Sequence, residues 1–196
     1  NICTAQALLA NTSSMFAIYH GKEDLINIAE KIFTNTNNLK KILGTKYDID
    51  EGLVFSNFLI RLPDFEKEKF YKKLLKRGIE VRRDKLGLII NLNQTTDKNH
   101  INTILDVFDL KFKDYGITKI LRKENFLEQE IFAYGKSETE MMRYMNSLVS
   151  KDYSLVNGMI PLGSCTMKLN SVSEMEPLSW EEIQNPHPYS QIEHLG

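Results

Sequence analysis

The hydrophobic period of this chain changes near residue 45, and that change limits what it can fold into. Before it, apolar residues recur at helical spacing. Ala5, Leu8, Leu9, Thr12, Met15, Phe16 and Tyr19 form an i, i+3, i+4 stripe, which predicts a helix over 4–19 that Gly21 ends. Leu25, Ile28, Ala29, Ile32, Phe33, Leu39 and Leu43 predict a second helix over 22–43, closed by Gly44. Asn35, Asn37 and Asn38 are expected to weaken its later half. Both stripes read as core. After residue 45 the period shortens. Leu53 to Leu62 is rich in Val, Phe, Leu and Ile and predicts a strand.

Pro63-Asp64 then opens a helix with Asp64 as the expected N-cap and Phe70, Leu74 and Leu75 on its apolar face. Gly78-Ile79 resembles a Schellman stop. Ile79 and Val81 start a short strand. Leu86, Leu88, Ile90 and Leu92 alternate and predict another, with Gly87 at the turn. Thr95 or Thr96 is expected to cap a helix whose face is Ile101, Ile104, Leu105 and Phe108. Residues 45–109 therefore predict a small α+β domain, with helices covering one face of an open, mostly antiparallel sheet.

From 110 to 136 periodicity is lost, and charges alternate with Tyr115, Phe126, Phe132 and Tyr134. This reads as a connection between domains. Ser137-Glu138-Thr139-Glu140 is a capping box opening a helix with Met141, Tyr144, Met145, Leu148 and Val149 on its stripe and Arg143 off it. Ser179-Trp180-Glu181-Glu182 marks a further helix start. Asn185-Pro186-His187-Pro188-Tyr189 is an extended segment held by two prolines.

Between those helices lies Met159-Ile160-Pro161-Leu162-Gly163-Ser164-Cys165-Thr166-Met167-Lys168-Leu169-Asn170. Pro161 fixes a dihedral and Gly163 permits close approach. Ser164, Cys165, Thr166, Lys168 and Asn170 then place two hydroxyls, a thiol, an ammonium and an amide within seven residues. Such a loop suits an anion or cofactor, although a plain surface turn has the same composition.

Composition narrows the classes. The 26 acidic residues nearly balance 25 basic ones, which argues against a nucleic-acid partner or a polybasic membrane role. No apolar run approaches the roughly 20 residues of a membrane span. Cys3 and Cys165 have no metal-type spacing, so no metal site is expected and a reducing compartment is the default. No signal peptide or transit segment is visible. The chain starts at Asn1 without Met and is helical in pattern almost at once, as expected of a piece of a longer protein. No Walker A loop, G-x-G-x-x-G, H-E-x-x-H or G-x-S-x-G occurs. Cys165 could act as a nucleophile with His187 or His194, and Lys168 as a Schiff-base lysine, but no acid partner for a pyridinium nitrogen is evident. His20 and His100 sit at a helix end and a helix start, where solvent or capping roles suit them.

Several stretches resemble glycine decarboxylase, the pyridoxal-phosphate-dependent P-protein of the glycine cleavage system. Asn1-Ile2-Cys3-Thr4-Ala5-Gln6-Ala7-Leu8-Leu9-Ala10-Asn11 is similar to the segment after that family's first catalytic-type domain. Ser137 through Tyr144 resembles the start of its second half, Met159 through Asn170 its most distinctive signature, and Asn185 through Tyr189 fits as well. The order and spacing agree, and about 45 to 130 matches in pattern. In one departure, Gly135-Lys136 stands where the family usually has a His before the capping box.

The resemblance implies a fragment of a fold-type-I, aminotransferase-like transferase with two similar halves. Residues 1–44 would join the large domain of the first half to its small domain, 45–109 would be that small domain, 110–136 the connection, and 137–196 the start of the second, cofactor-binding half. It implies decarboxylation of glycine on pyridoxal phosphate, with the aminomethyl group passed to the lipoyl arm of the H-protein. The other half of the P-protein, in the same chain or a second subunit, is an implied partner, in a homo- or heterodimeric assembly. The setting would be bacterial cytoplasm, or the mitochondrial matrix in a eukaryote. The cofactor lysine of the family follows a His further downstream, so Lys168 would not be that lysine and the piece would not act alone. Ser164 and Thr166 are the expected cofactor contacts, Cys165 and Thr166 the expected catalytic groups, and Pro161, Gly163, Lys168 and Asn170 the loop supports. A stand-alone α+β binding or scaffold module, and a Cys165-dependent hydrolase, are the alternatives.

Overall fold

The computed structural model describes residues 7–118, 122–133, 137–151, 158, 171–184, 186, 187 and 190. The chain divides into two units, one over Lys22–Glu128 and one made of the residues up to Gly21 and from Gln129 onward. Helix α1 (Ala7–Leu43) carries the division. At Gly21 its backbone leaves helical geometry with φ 64° and ψ −173°, so two helices meet where the sequence places their boundary.

In the Lys22–Glu128 unit, four antiparallel strands form a sheet in the order β1-β2-β4-β3. They are β1 (Asp48–Ile49), β2 (Asn57–Arg61), β3 (Arg82–Arg83) and β4 (Gly87–Asn91). Alternation along the two central strands sends Phe58, Ile60, Leu88 and Ile90 to one face, where all four are buried. Register pairs Phe58 with Ile90 and Ile60 with Leu88. On the other face Leu59 lies opposite Ile89, both half-buried, and Arg61 reaches Asp50 at 2.6 Å and Asp48 at 3.7 Å. Three helical segments supply the rest of the core. Leu39, Ile42 and Leu43 come from α1. Phe70, Tyr71 and Leu74 come from α2 (Asp64–Leu75), and Ile101, Ile104, Leu105 and Val107 from α3 (Lys98–Val107). Each buried Leu or Ile contributes on the order of 1.5–3 kcal/mol. Phe108, fully buried, stacks on Phe70 at 4.4 Å between ring centres, with Tyr47 edge-on to both. The expected small α+β domain with helices on one sheet face is present, but its core draws on α1 as well as on residues after 45.

Several local expectations need correction. The strand predicted from Leu53 starts only at Asn57, and β1 was not anticipated. Gly87 lies within β4 rather than at the turn, which Asp84 makes by accepting from the Leu86 amide. A Cβ on Gly87 would fall 1.8 Å from the Ile60 carbonyl oxygen, so the close approach of β2 and β4 requires glycine there. Asp64 is not the N-cap. Pro63 holds that place with no side-chain bond, and Asp64, one residue inside, pairs with Lys67 at 2.7 Å. Neither Thr95 nor Thr96 caps α3. Asn93 Oδ1 accepts from both of their amides in an Asx-type turn, while Asp97 accepts from the His100 amide at 2.9 Å and His100 Nδ1 accepts from the Asp97 amide. His100 has the capping role expected of it.

Helices α2 and α3 end alike. Ile79 N–H donates to Leu74 and Gly78 N–H to Leu75, with Gly78 at φ 74°. This is the expected Schellman stop. Leu110 N–H donates to Leu105 and Asp109 N–H to Asp106, with Asp109 at φ 56°. The second stop places a side-chain-bearing residue in the left-handed position.

Helix α1 runs on through Asn37 and Asn38 to Leu43. Both asparagines are buried, and each holds a different incoming segment. Asn37 donates to the Val54 carbonyl and accepts from the Val54 amide. Asn38 accepts from the Tyr115 amide and donates to Asp114. Past Tyr115, Phe126 lies beneath Lys22 and Arg122, at 5.5 and 5.0 Å from its ring centre.

In the other unit, the stripe expected to be core on the first part of α1 is largely exposed. Leu8 and Leu9 are 72% and 67% accessible, while Ile18, absent from that stripe, is buried. Helix α4 (Glu138–Val149) starts where its capping box predicts, with the Glu140 amide donating to Ser137 Oγ at 3.2 Å. It buries no residue, and Met142, Met145, Leu148 and Val149 are exposed. Short helices α5 (Val172–Met175) and α6 (Glu181–Gln184) follow, joined by a 3₁₀ turn at Glu176–Ser179. Among the described residues, no helix is long and apolar enough to cross a membrane.

Candidate functional site

The candidate loop is framed by helix ends whose chemistry is visible. On one side α4 stops at Ser150, whose amide donates to the Asn146 carbonyl. On the other, Ser171 opens α5 through a reciprocal cap. Its amide donates to Glu174 Oε2 at 2.9 Å, and its Oγ accepts from the Glu174 amide at 3.2 Å. The sequence motif Ser171-Val172-Ser173-Glu174 carries this cap, and the expectation missed it. Pro161, Gly163, Ser164, Cys165, Thr166, Lys168 and Asn170 all lie outside the described residues, as do Gly135 and Lys136. His194 lies outside them too, and His187 is described with its carbonyl accepting from the Ser190 amide. The structure therefore neither gathers nor separates these candidates.

The described residues hold another concavity, which sequence reasoning did not find. A pocket of about 360 Å³ opens between the last turns of α1 and the segment from β1 to Leu53. Lys40 lines it and is 7% exposed, with its Nζ donating to the Gly52 carbonyl. Lys41, Ile49, Asp50, Glu51 and Leu53 also line it. Its one legible signal was Gly52, whose φ of 85° turns the carbonyl side of the loop over the helix.

Surface electrostatics are local. Asp97 is held below the usual carboxylate range, first by the His100 amide. Asp64 is lowered by Lys67, and Arg61 is raised by its hydrogen bond to Asp50. Among the described residues no three His, Cys, Asp or Glu side chains gather as a metal would require.

The fold defines a small α+β domain built on a four-stranded antiparallel sheet within Lys22–Glu128. The family described as the glycine cleavage system P-protein matches residues 1–108. Proteins named glycine dehydrogenase (decarboxylating) match nearly the whole chain. That of Pelagibacter ubique is 35% identical over 206 positions, covering 100% of this chain and 22% of the relative. Those of Aliivibrio fischeri MJ11 and Prochlorococcus marinus NATL1A are each 37% identical, covering 98% and 97% of this chain and 22% of each relative. The chain belongs to the glycine cleavage system P-protein family. It spans about a fifth of the length of the curated relatives it matches.

Proposed function

We propose that this chain is the part of a glycine dehydrogenase (decarboxylating) that carries the small domain of its first half, the connection out of that domain, and the opening of its second half. The observation that carries this reading is the 35–37% identity sustained over 97–100% of the chain to enzymes of that name. In this reading Lys22–Glu128 is the small domain with its connecting segment, and α4 begins the second half of a fold-type-I transferase, in bacterial cytoplasm.

Pyridoxal phosphate, when bound, supplies an electron sink for the carbon that loses carboxylate. The work of this chain is to bind and position. The Ser164 and Thr166 hydroxyls donate to an anionic oxygen of glycine or of the cofactor. Gly163, without a side chain, lets the loop backbone come close, and Pro161 stiffens its approach. Cys165 faces the lipoyl disulfide of the H-protein, and Lys168 and Asn170 set the charge and shape of the loop. The glycine-derived aminomethyl group leaves on that lipoyl arm.

The test is Ser164→Ala and Thr166→Ala in the full-length enzyme. Glycine-dependent bicarbonate exchange should fall by about 10²-fold or more if each hydroxyl positions a reacting group. Unchanged exchange together with an unchanged cofactor spectrum would refute the loop's role.

A further inference from the structure

Lys40 is a buried cation that the described residues leave under-neutralised. It is 93% buried, its recorded acceptor is the neutral Gly52 carbonyl, and no carboxylate among the described residues lies within 4 Å of it. An ammonium has three N–H donors, and burying one without a counter-charge is costly. Lys40 lines the 360 Å³ pocket, a volume in the ordinary range for small-ligand sites, and its ammonium donates to Gly52, another lining residue. Lys41 also lines the pocket, with its ammonium 5.9 Å from the Tyr115 ring centre. Asp50 and Glu51 also line the pocket; Asp50 is committed to Arg61 at 2.6 Å, and neither carboxylate forms an ion pair with Lys40. Ile49 and Leu53 give part of the wall an apolar surface.

We propose that this pocket is a binding site for a small aliphatic carboxylate. Its carboxylate accepts from Lys40 and is attracted by Lys41, and its carbon body lies on Ile49 and Leu53. A carboxylate supplies the charge and the acceptor lone pairs that Lys40 lacks, and a short alkyl body fits the apolar wall. The Gly52 carbonyl then serves as a strut that holds the ammonium at the pocket wall. The site stands apart from the proposed role of the 161–170 loop and does not depend on it.

The experiment is an amide-resolved NMR titration of the 196-residue chain at constant ionic strength with butyrate, n-butanol and n-butylamine. Saturable shifts of Gly44, Gly52 and Leu53 with butyrate alone are expected. Lys40→Met, which keeps the length and apolar stem of the side chain, should weaken butyrate at least tenfold. Lys40→Arg, which keeps the charge, should hold it within a few-fold. Equal response to butylamine, unchanged butyrate affinity in Lys40→Met, or no saturable response to butyrate in the wild-type chain would each overturn the site. The last outcome would leave Lys40 as a structural strut, and it is readable even if Lys40→Met fails to fold.

Discussion

Asn37 holds Val54 by both of its backbone polar groups, donating Nδ2 to the carbonyl at 2.7 Å and accepting at Oδ1 from the amide at 3.1 Å. A helix side chain thus completes hydrogen bonds that a neighbouring strand would otherwise make. Asn37→Ala strips both partners at a buried position, so it should lower unfolding free energy by about 2–3 kcal/mol in urea titrations. Asn35→Ala, at a half-buried helical position without such a clamp, should change stability by less than about 0.5 kcal/mol or raise it slightly. Equal effects of the two would refute the clamp.

Gly87→Ala puts a methyl 1.8 Å from the Ile60 oxygen, inside the β2–β4 ladder. The strands must separate, and a loss of about 3 kcal/mol or more, or failure to fold, is expected. Gly52→Ala meets nothing within 4 Å and is strained only through its φ of 85°, so about 1 kcal/mol is the expected cost. Thermal melts of the two variants check the ranking.

The twin Schellman stops give a stabilising substitution. Asp109→Gly relieves a left-handed φ of 56° on an exposed residue and should raise stability by about 0.5–1 kcal/mol. Gly78→Ala, at the equivalent place after α2, should lower it by a similar amount. A fall in melting temperature for Asp109→Gly would contradict the geometry.

Acid should loosen the start of α3. The folded-state pKa of Asp97 lies below its ordinary value, so its contribution to stability is fully present above that value and is lost as pH falls through the folded pKa. Amide exchange at the start of α3 should accelerate below about pH 4, the ordinary carboxylate range. Asp97→Asn, which keeps the acceptor without the titrating proton, should flatten that dependence.

Limited proteolysis should separate the two units. Helix α4 buries nothing and leaves Met142 70% exposed, whereas β2, β4, α2 and α3 share one core. Trypsin is expected to cut at Arg143 or Lys151 before it cuts between 57 and 108, as mass spectrometry of early fragments would show.

The sequence made these features legible to different degrees, for physical reasons. Long helices and central strands were visible because their apolar periods repeat, as with Ile101, Ile104 and Leu105. Gly78 announced its helix stop by its identity, whereas Asp109 makes the same stop with a residue common in many other settings. Strand β1 has two residues, too few to show a period. Asn37 and Asn38 looked unfavourable because propensity describes an isolated helix, and their partners Val54 and Tyr115 arrive from distant parts of the chain. The loop at 161–170 was legible as chemistry and as a family likeness, through side-chain types that do not by themselves fix geometry.

The strand order has a kinetic meaning. The central pair is not a hairpin, since α2 and β3 lie between its strands. Closing it joins residues 26 apart at the Arg61–Gly87 end and 34 apart at the Asn57–Asn91 end. The shorter loop has the smaller entropic barrier, so pairing should begin beside Gly87 and zip toward Asn57. Hairpin β3–β4 and helix α2 can form locally before that step. The glycine that permits the close approach of β2 and β4 thus stands where the sheet is expected to nucleate, and substitutions there should slow folding as well as weaken the folded state.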